Sequence, residues 1–445
     1  MSKDQDPANK NDCCRDRHNR CPSSMSVGGF ARALQSFRNG QKLRGMNPVP
    51  LRGWDEASFA VSRSSTPLRS RGFLWIFGIA WGLWILPDHS SSGYSGGGVV
   101  SGRARAVGLE AVSRDLAIDF GTANTRVMVK GRGLVLDEPS VIAVDTRTRE
   151  VLALGHEASD LVGRTADHVV TVRPLHQGAI TDFDMAERML RAVLARCGLS
   201  RMSRPRVLLS VPAAATSIER RALKQAAERA GASSAILIEA PMAAAIGLDL
   251  PIYEAMGSVV LDIGAGTTET AVISLGGVVA MKALRIGGND LDHAISEYVR
   301  QELDLVISDR VGEELKIRIG SANPATPLAL AEVHGRRTSS GAPSTEQVSS
   351  EVVASAMHEL VNAMVGGAAA CLAEAPPELA QDAIFEGIHL VGGGAAIDGI
   401  VPLISQGTSV PVHVVSNSIS VVAEGAARCL DEIGRLGALF EAANR

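Results

Sequence analysis

The amino-acid sequence predicts an α/β fold made of two similar domains, each offering one glycine turn. Two observations predict it. From residue 116 onward, short apolar runs of strand length alternate with longer amphipathic stretches of helical period. In addition, one strand–turn–strand pattern occurs twice, and each copy carries an Asp, a Gly turn and a Thr at the same spacing.

The elements follow in order. Residues 116–119 read as a buried strand, 121–124 as a tight turn, and 125–129 as the returning strand. Helical spacing covers 184–197, a strand 207–211 and a second helix 217–230. A buried run at 235–239 leads into a helical stretch at 241–248, and 313–319 also reads as helix. An apolar strand at 388–391 is followed by Gly392, Gly393 and Gly394, and then by a helix start at 395–400.

The repeat carries the chemistry. LAIDFGTANTRVMV begins at Leu116 and VVLDIGAGTTETAVI at Val259, so Asp119, Gly121 and Thr125 correspond to Asp262, Gly264 and Thr268. A turn of Gly and small hydroxyl residues lets backbone N–H groups approach phosphate oxygens, and Thr hydroxyls add donors. An Asp at each strand end suits a hydrated Mg²⁺ accompanying a triphosphate. A single such turn is usually only a hairpin; two facing turns can grip phosphates from both sides. The run Gly392–Gly394 between strand and helix suits a base and ribose, and is otherwise a tight connection. Glu313 and Lys316, three apart on one helical face, either frame that adenosine or form a surface ion pair.

The remaining chain sets bounds. Apolar residues make up 46% and charged residues 21% of the 445, an ordinary globular balance. Residues 1–113 hold 15 Lys/Arg against 8 Asp/Glu, a net of +7, which leaves −11 of the chain's −4 to residues 114–445. An acidic body offers no electrostatic footprint for nucleic acid. Cys197, Cys371 and Cys429 are scattered and suggest no disulfide framework. Cys13, Cys14, His18 and Cys21 read as an incidental cluster, because the spacing is not a zinc knuckle.

Residues 1–113 are expected to be a low-complexity, disordered extension rich in Ser, Arg, Gly and Pro. Its exception is 72–86, fifteen residues without a charge. As a helix this segment spans about 22 Å, short of the ~30 Å hydrocarbon core. A basic flank before it would place the nucleotide-binding body outside the cytosol. A start codon set too far upstream resolves that conflict, ahead of a signal-anchor or an interfacial segment.

These motifs together resemble the bacterial actins of the MreB/Mbl family, within the actin–Hsp70–hexokinase ATPase superfamily. The resembling stretches are IDFGTANT (118–125), LVLDEPSVIAV (134–144), RPLHQGAITDFDMAERML (173–190), PMAAAIG (241–247), DIGAGTTETAVISLGGVV (262–279), ELKIRIGSA (314–322) and VGGGAAIDG (391–399). The resemblance implies an actin-like ATPase fold, with 114–257 plus 420–439 as one domain and 258–419 as the other. It implies ATP and Mg²⁺ as ligands, self-assembly into filaments, and a cytoplasmic location at the inner face of the membrane. It also implies cell-wall elongation proteins as partners. Gly121, Thr122, Ala123 and Asn124 match the first phosphate loop, and Gly264, Gly266, Thr267 and Thr268 the second, with Ala265 in place of a glycine. Asp119 and Asp262 match the metal-side carboxylates. Glu313, Lys316 and Gly392–Gly394 match the adenosine side.

One departure affects catalysis. The family reads Glu-Glu-Pro-Met where this chain reads Glu239-Ala240-Pro241-Met242, so Ala240 occupies the place of the water-orienting Glu. Thr267, the other water-positioning residue, is retained, and slow hydrolysis is the expectation. Two alternatives stay open: a non-hydrolysing, regulatory or co-polymerising paralogue, and a small-molecule kinase of the superfamily, for which no motif nominates a base. The loop at 198–204, with Arg196, Arg201, Arg204 and Arg206, is a candidate basic patch for anionic headgroups.

Overall fold

The structure is a computed structural model that describes residues 115–197, 204–323 and 327–431, all of them in one compact unit within Gly102–Arg445. The apolar segment 72–86, the cysteine cluster at 13–21, the loop 198–203 and residues 432–439 lie outside the described residues.

The repeated sequence pattern becomes a repeated topology. In the first half, β1 (Leu116–Phe120), β2 (Asn124–Val129) and β3 (Gly133–Pro139) form an antiparallel meander. β4 (Arg206–Val211) and β5 (Ser234–Glu239) extend it in parallel, giving the order β3-β2-β1-β4-β5. In the second half, β6 (Ser258–Ile263), β7 (Thr268–Ser274), β8 (Gly277–Leu284), β9 (Ile388–Val391) and β10 (Val412–Val414) give β8-β7-β6-β9-β10, the same order. Parallel neighbours need long crossovers, and helices supply them. α1 (Phe183–Arg196) and α2 (Ser217–Ala230) serve the first sheet, and α3 (Ala240–Gly247) follows its last strand. α4 (Gly288–Leu303), α5 (Asp309–Ile319), α6 (Ser350–Glu374), α7 (Pro377–Glu386) and α8 (Ile400–Thr408) serve the second, and α9 (Val421–Asp431) follows it.

Local chemistry explains most boundaries. Asp182 caps α1 by accepting from Met185 N at 3.0 Å. Thr216 and Glu219 form a reciprocal capping box at the start of α2. α5 starts four residues before the expected 313, because Ser308 caps it by accepting from Val311 N. The helix expected at 395–400 is corrected: Gly393–Ala396 is a 3₁₀ turn, Ile397 is extended, and Gly399 takes φ +73°, so α8 begins only at Ile400.

Among the described residues three large apolar cores result, beside a small cluster of Val141, Ala143 and Ala158. The outer face of the first sheet packs on α1 and α2 around Ile118, Met189, Leu190, Leu209 and Leu237. The outer face of the second packs on α4, α6 and α8 around Leu261, Leu291, Ile295, Met357, Val361 and Ile404. α6 is long and apolar enough by composition to cross a bilayer, but its Val353, Met357, Val361 and Cys371 are buried in this core. The third core joins the halves: Ala117 and Ile238 of the first sheet, Val260 and Ile273 of the second, and the small residues of α3 and α9 between them. Cys197, Cys371 and Cys429 are buried.

The basic flank around 198–204 is largely engaged. Arg196 pairs with Glu138 at 2.9 Å and Glu157 at 3.2 Å, Arg206 donates to Asp115 at 3.1 Å, and Arg204 donates to the Ala232 carbonyl.

α3 and α9 meet backbone to backbone. A Cβ on Gly425 would lie 1.7 Å from the Ala243 carbonyl oxygen, and one on Gly247 would lie 2.3 Å from that of Val421. Gly425→Ala is therefore expected to destabilise by about 1–3 kcal/mol through overpacking. Gly366, mid-helix in α6 with open space around it, is the control: Gly366→Ala should stabilise by roughly 0.5–1 kcal/mol. Urea denaturation midpoints check both, and midpoints shifting in the same direction would contradict the packing described.

Candidate functional site

The two repeated turns are built alike. Across β1 and β2, Asp119 pairs with Arg126 and Phe120 with Thr125; across β6 and β7, Asp262 pairs with Glu269 and Ile263 with Thr268. Gly121 N donates to the Asn124 carbonyl at 3.0 Å, and Gly264 N to that of Thr267 at 2.9 Å. Each turn is braced from behind by its strand threonine. The buried Thr125 hydroxyl shares a hydrogen bond with Ser140, which donates to Gly121 O; Ser140 N also donates to Ala123 O. Thr268, also buried, donates its hydroxyl to the Ile286 carbonyl at 2.8 Å, so it holds the neighbouring loop and does not face the cleft.

The turns also meet. A Cβ on Gly266 would lie 2.6 Å from Thr122 Oγ1 and 2.9 Å from Gln177 Cα, so only glycine permits this approach. Thr122 Oγ1 accepts from Gly178 N at 3.0 Å. Ala265 does not take a positive φ, which explains why an alanine is accepted there.

The third glycine run joins the same place. Gly392, at φ +82°, lies so close to β6 that a Cβ would be 2.4 Å from Asp262 Oδ1. Gly394 abuts Ile263, whereas Gly393 has open space around it. Lys316 pairs with the buried Asp292 at 2.6 Å and donates to Gly288 O at 2.9 Å. It does not pair with Glu313, which is exposed on the same helix. Gly288 N in turn donates to Gly264 O, and Asn289 N to Ala265 O, so α5 supports the second turn through the start of α4. Burial is the main cause that raises Asp292 to about 6, against the Lys316 charge that lowers it.

Charge in the cleft is unevenly distributed. Ser210 Oγ donates to Asp119 Oδ1 at 2.6 Å, and Arg126 lies 3.8 Å from Asp119 Oδ2 and 3.2 Å from Asp137. Burial still raises the Asp119 carboxyl above its ordinary range, while Ser210 and Arg126 pull it down. Asp262 rises to about 7, through burial first and then the charge of Asp119. The charge of Asp119 thus reaches Asp262, each at the strand end before a turn, and the turns approach at Gly266 and Thr122. Glu269, almost fully buried beside Asp262, rises to about 8; it accepts from Ala213 N at 3.3 Å, and its Oε1 has no partner.

Beside them, Glu239 is committed. Its Oε1 accepts from Arg220 at 3.0 Å, and Arg220 also donates to Ala213 O and Ala215 O. Ala240 opens α3 and presents only a methyl group. At the mouth, Gln177 donates to Asp290 at 3.2 Å, while Arg285 donates to Gln177 O and pairs with Glu219 at 2.8 Å. Thr267 lines a small recess there with Gln177, Gly178, Pro212 and Arg285.

Of the residues singled out for the nucleotide, those of the two turns, Gly392, Gly394 and Lys316 make contacts at or behind the turns, whereas Gly393 has open space around it and Glu313 is exposed. Sequence reasoning missed Arg126, Gln177, Glu269, Gly288 and Asp292. Gly287-Gly288 before a helix was a legible signal. A buried Arg and Glu in otherwise apolar strands were another.

Comparison with known proteins agrees with this geometry. Residues 113–438 match the MreB/Mbl protein family. The cell shape-determining protein MreB of Escherichia coli is 42% identical over 331 residues, covering 73% of this chain and 95% of that protein. The cell shape-determining protein Mbl of Bacillus cereus is 40% identical over 325 residues, covering 73% and 98%. The crystal structures of Spiroplasma citri MreB5 bound to ADP and to AMPPNP superpose with TM-scores of 0.67 and 0.68, at 33% identity over 72% of this chain and 96% of that one. With family match, curated relatives and structural likeness in agreement, this chain belongs to the MreB/Mbl family of actin-like proteins.

Proposed function

We propose that this chain binds ATP with Mg²⁺ between its two halves and polymerises with copies of itself into filaments. These filaments lie in the cytoplasm at the inner face of the membrane and organise the proteins that elongate the cell wall. One observation carries the reading: both glycine turns, the Gly392–Gly394 run and two facing aspartates converge on one cleft. Family membership supports the assembly and the cell-shape role, and the nucleotides bound to MreB5 support the ligand.

The residues present fit those ligands. Buried like charges at Asp119 and Asp262 are relieved by a divalent cation. The glycines hold the turns where side chains would block phosphate oxygens. In this reading 114–257 with 420–439 forms one domain and 258–419 the other. The backbone of Gly121–Asn124 and of Gly264, Gly266 and Thr267 donates to the phosphates. Asp119 and Asp262 hold the hydrated metal, and Gly392–Gly394 with Lys316 and Glu313 lie on the adenosine side. Bound Mg²⁺ neutralises phosphate charge and fixes the terminal phosphate for attack.

Hydrolysis is the weak step. A water needs an oriented acceptor, Ala240 has none, and Glu239 is held by Arg220. Thr267 alone remains. The same observation favours a second reading, in which the chain is a non-hydrolysing partner in mixed filaments. The membrane role rests on the loop 198–203 rather than on Arg196 and Arg206, which are ion-paired.

Asp262→Ala is expected to abolish Mg-ATP binding by isothermal titration; unchanged affinity would remove the cleft assignment. Ala240→Glu should raise single-turnover hydrolysis at least about tenfold, toward the 10²–10⁴ typical of a positioned acid–base group. Equal rates in both proteins would mean that another residue orients the water. The nucleotide-free protein should also lose stability as pH rises. Asp262 and Glu269 titrate at about 7 and about 8 when folded, against roughly 4 when unfolded. The native state therefore holds more protons between those limits, and its stabilisation is lost as pH climbs through the folded values. Thermal melts should fall from about pH 5 to about pH 8, less steeply in Glu269→Gln; a rising melt would refute it.

A further inference from the structure

Strand pairing puts two residues in equivalent places in the two halves: Arg126 beside Asp119, and Glu269 beside Asp262. Residues directly opposite on paired strands project to the same face of a sheet. Arg126 therefore shares the face from which Asp119 meets Asp262. Its side chain is only 9% exposed, with Asp119 and Asp137 as its ionic partners. The corresponding Glu269 is buried too, with one carboxylate oxygen unpartnered. A duplicated scaffold thus carries a guanidinium on one wall and an extra buried carboxyl group on the other.

The partners of the two aspartates differ accordingly. One oxygen of Asp119 accepts from the Ser210 hydroxyl at 2.6 Å, and the other lies 3.8 Å from the Arg126 guanidinium, a charge contact without a hydrogen bond. Asp262 has no hydrogen bond or ion pair among the described residues. An aspartate already matched by an arginine competes poorly for a metal ion, because ligation would strip the arginine of its counter-charge in a buried site. An unmatched one attracts it.

Resting on the nucleotide-binding reading above, we propose that Arg126 is a resident counter-cation of the cleft: it lies beside Asp119, leaves Asp262 the stronger of the two metal-holding carboxylates, and makes nucleotide binding less dependent on Mg²⁺. The polyphosphate of an incoming nucleotide meets a wall already carrying one fixed positive charge, held in a poorly solvated place where charges act over several ångströms. The guanidinium is suited to this because it stays protonated at any working pH and needs less hydration than an ammonium.

The test is binding of AMPPNP to the full chain by isothermal titration, with EDTA and then across a series of Mg²⁺ concentrations. Arg126→Gln should weaken metal-free binding by about tenfold, and Arg126→Lys, which keeps the charge, by no more than about twofold. The Mg²⁺ concentration giving half-maximal AMPPNP binding should fall severalfold in Arg126→Gln, because Asp119 is released. Adding Asp119→Asn to Arg126→Gln should reverse that fall, a coupling that a purely structural role for Arg126 would not produce. Thermal melts identify any variant that has failed to fold, and Arg126→Lys then carries the comparison through its Mg²⁺ series against the unmodified chain: a Mg²⁺ requirement moved more than about twofold by the lysine would overturn the counter-cation role. Metal-free binding and Mg²⁺ requirement unchanged in a folded Arg126→Gln would overturn the inference and leave the nucleotide site standing. Failure of the unmodified chain to bind AMPPNP even with Mg²⁺ would sink both.

Discussion

Two carboxylates of like charge, Asp119 and Asp262, face one another at the ends of two equivalent strands, and the rest of the cleft is organised around that repulsion. Burial removes the water that would screen them, so Asp262 is pushed to about 7 with Asp119 as a contributing cause. Such a pair persists only if the scaffold fixes it and something else supplies positive charge. The scaffold does so through two sheets of identical strand order whose inner faces share one apolar core.

Polar support around this pair is graded by distance. Closest in are Ser210 and Arg126 on Asp119. Farther out, Ser140 and Thr125 brace one turn, while Thr268 and the start of α4 brace the other. Farther still, Lys316 ties α5 to α4 through Asp292 and Gly288. Phosphate sites need this layering because backbone N–H donors have no flexible side chain with which to correct their aim.

The sequence was most informative where chemistry is local. The strand–turn–strand copies, the capped helices α1 and α2 and the strand before Gly392 depend on neighbours within a few residues, so pattern and propensity found them. The helix expected at 395 was misplaced because a run of small residues carries no stop signal, and φ at Gly399 decides the boundary. Lys316 was expected on the adenosine side or paired with Glu313; its partner was not legible, because Asp292 lies a helix away and only tertiary packing brings it to 2.6 Å. Arg126 and Glu269 were overlooked for a related reason. Within a strand each looks like an outward-facing charge, and only the facing sheet makes it an inward one.

The root and the lips of the cleft are held in different ways. At the root, Ala117 and Ile238 of the first sheet share one apolar core with Val260 and Ile273 of the second, and the small residues of α3 and α9 complete it. At the lips, the fastening is the partly exposed Arg285–Glu219 pair and the Gln177–Asp290 hydrogen bond. Bonds of that kind contribute about a kcal/mol or less apiece, and the ion pair weakens further with salt. The two halves are thus joined by a dry apolar root and a light, salt-sensitive clasp.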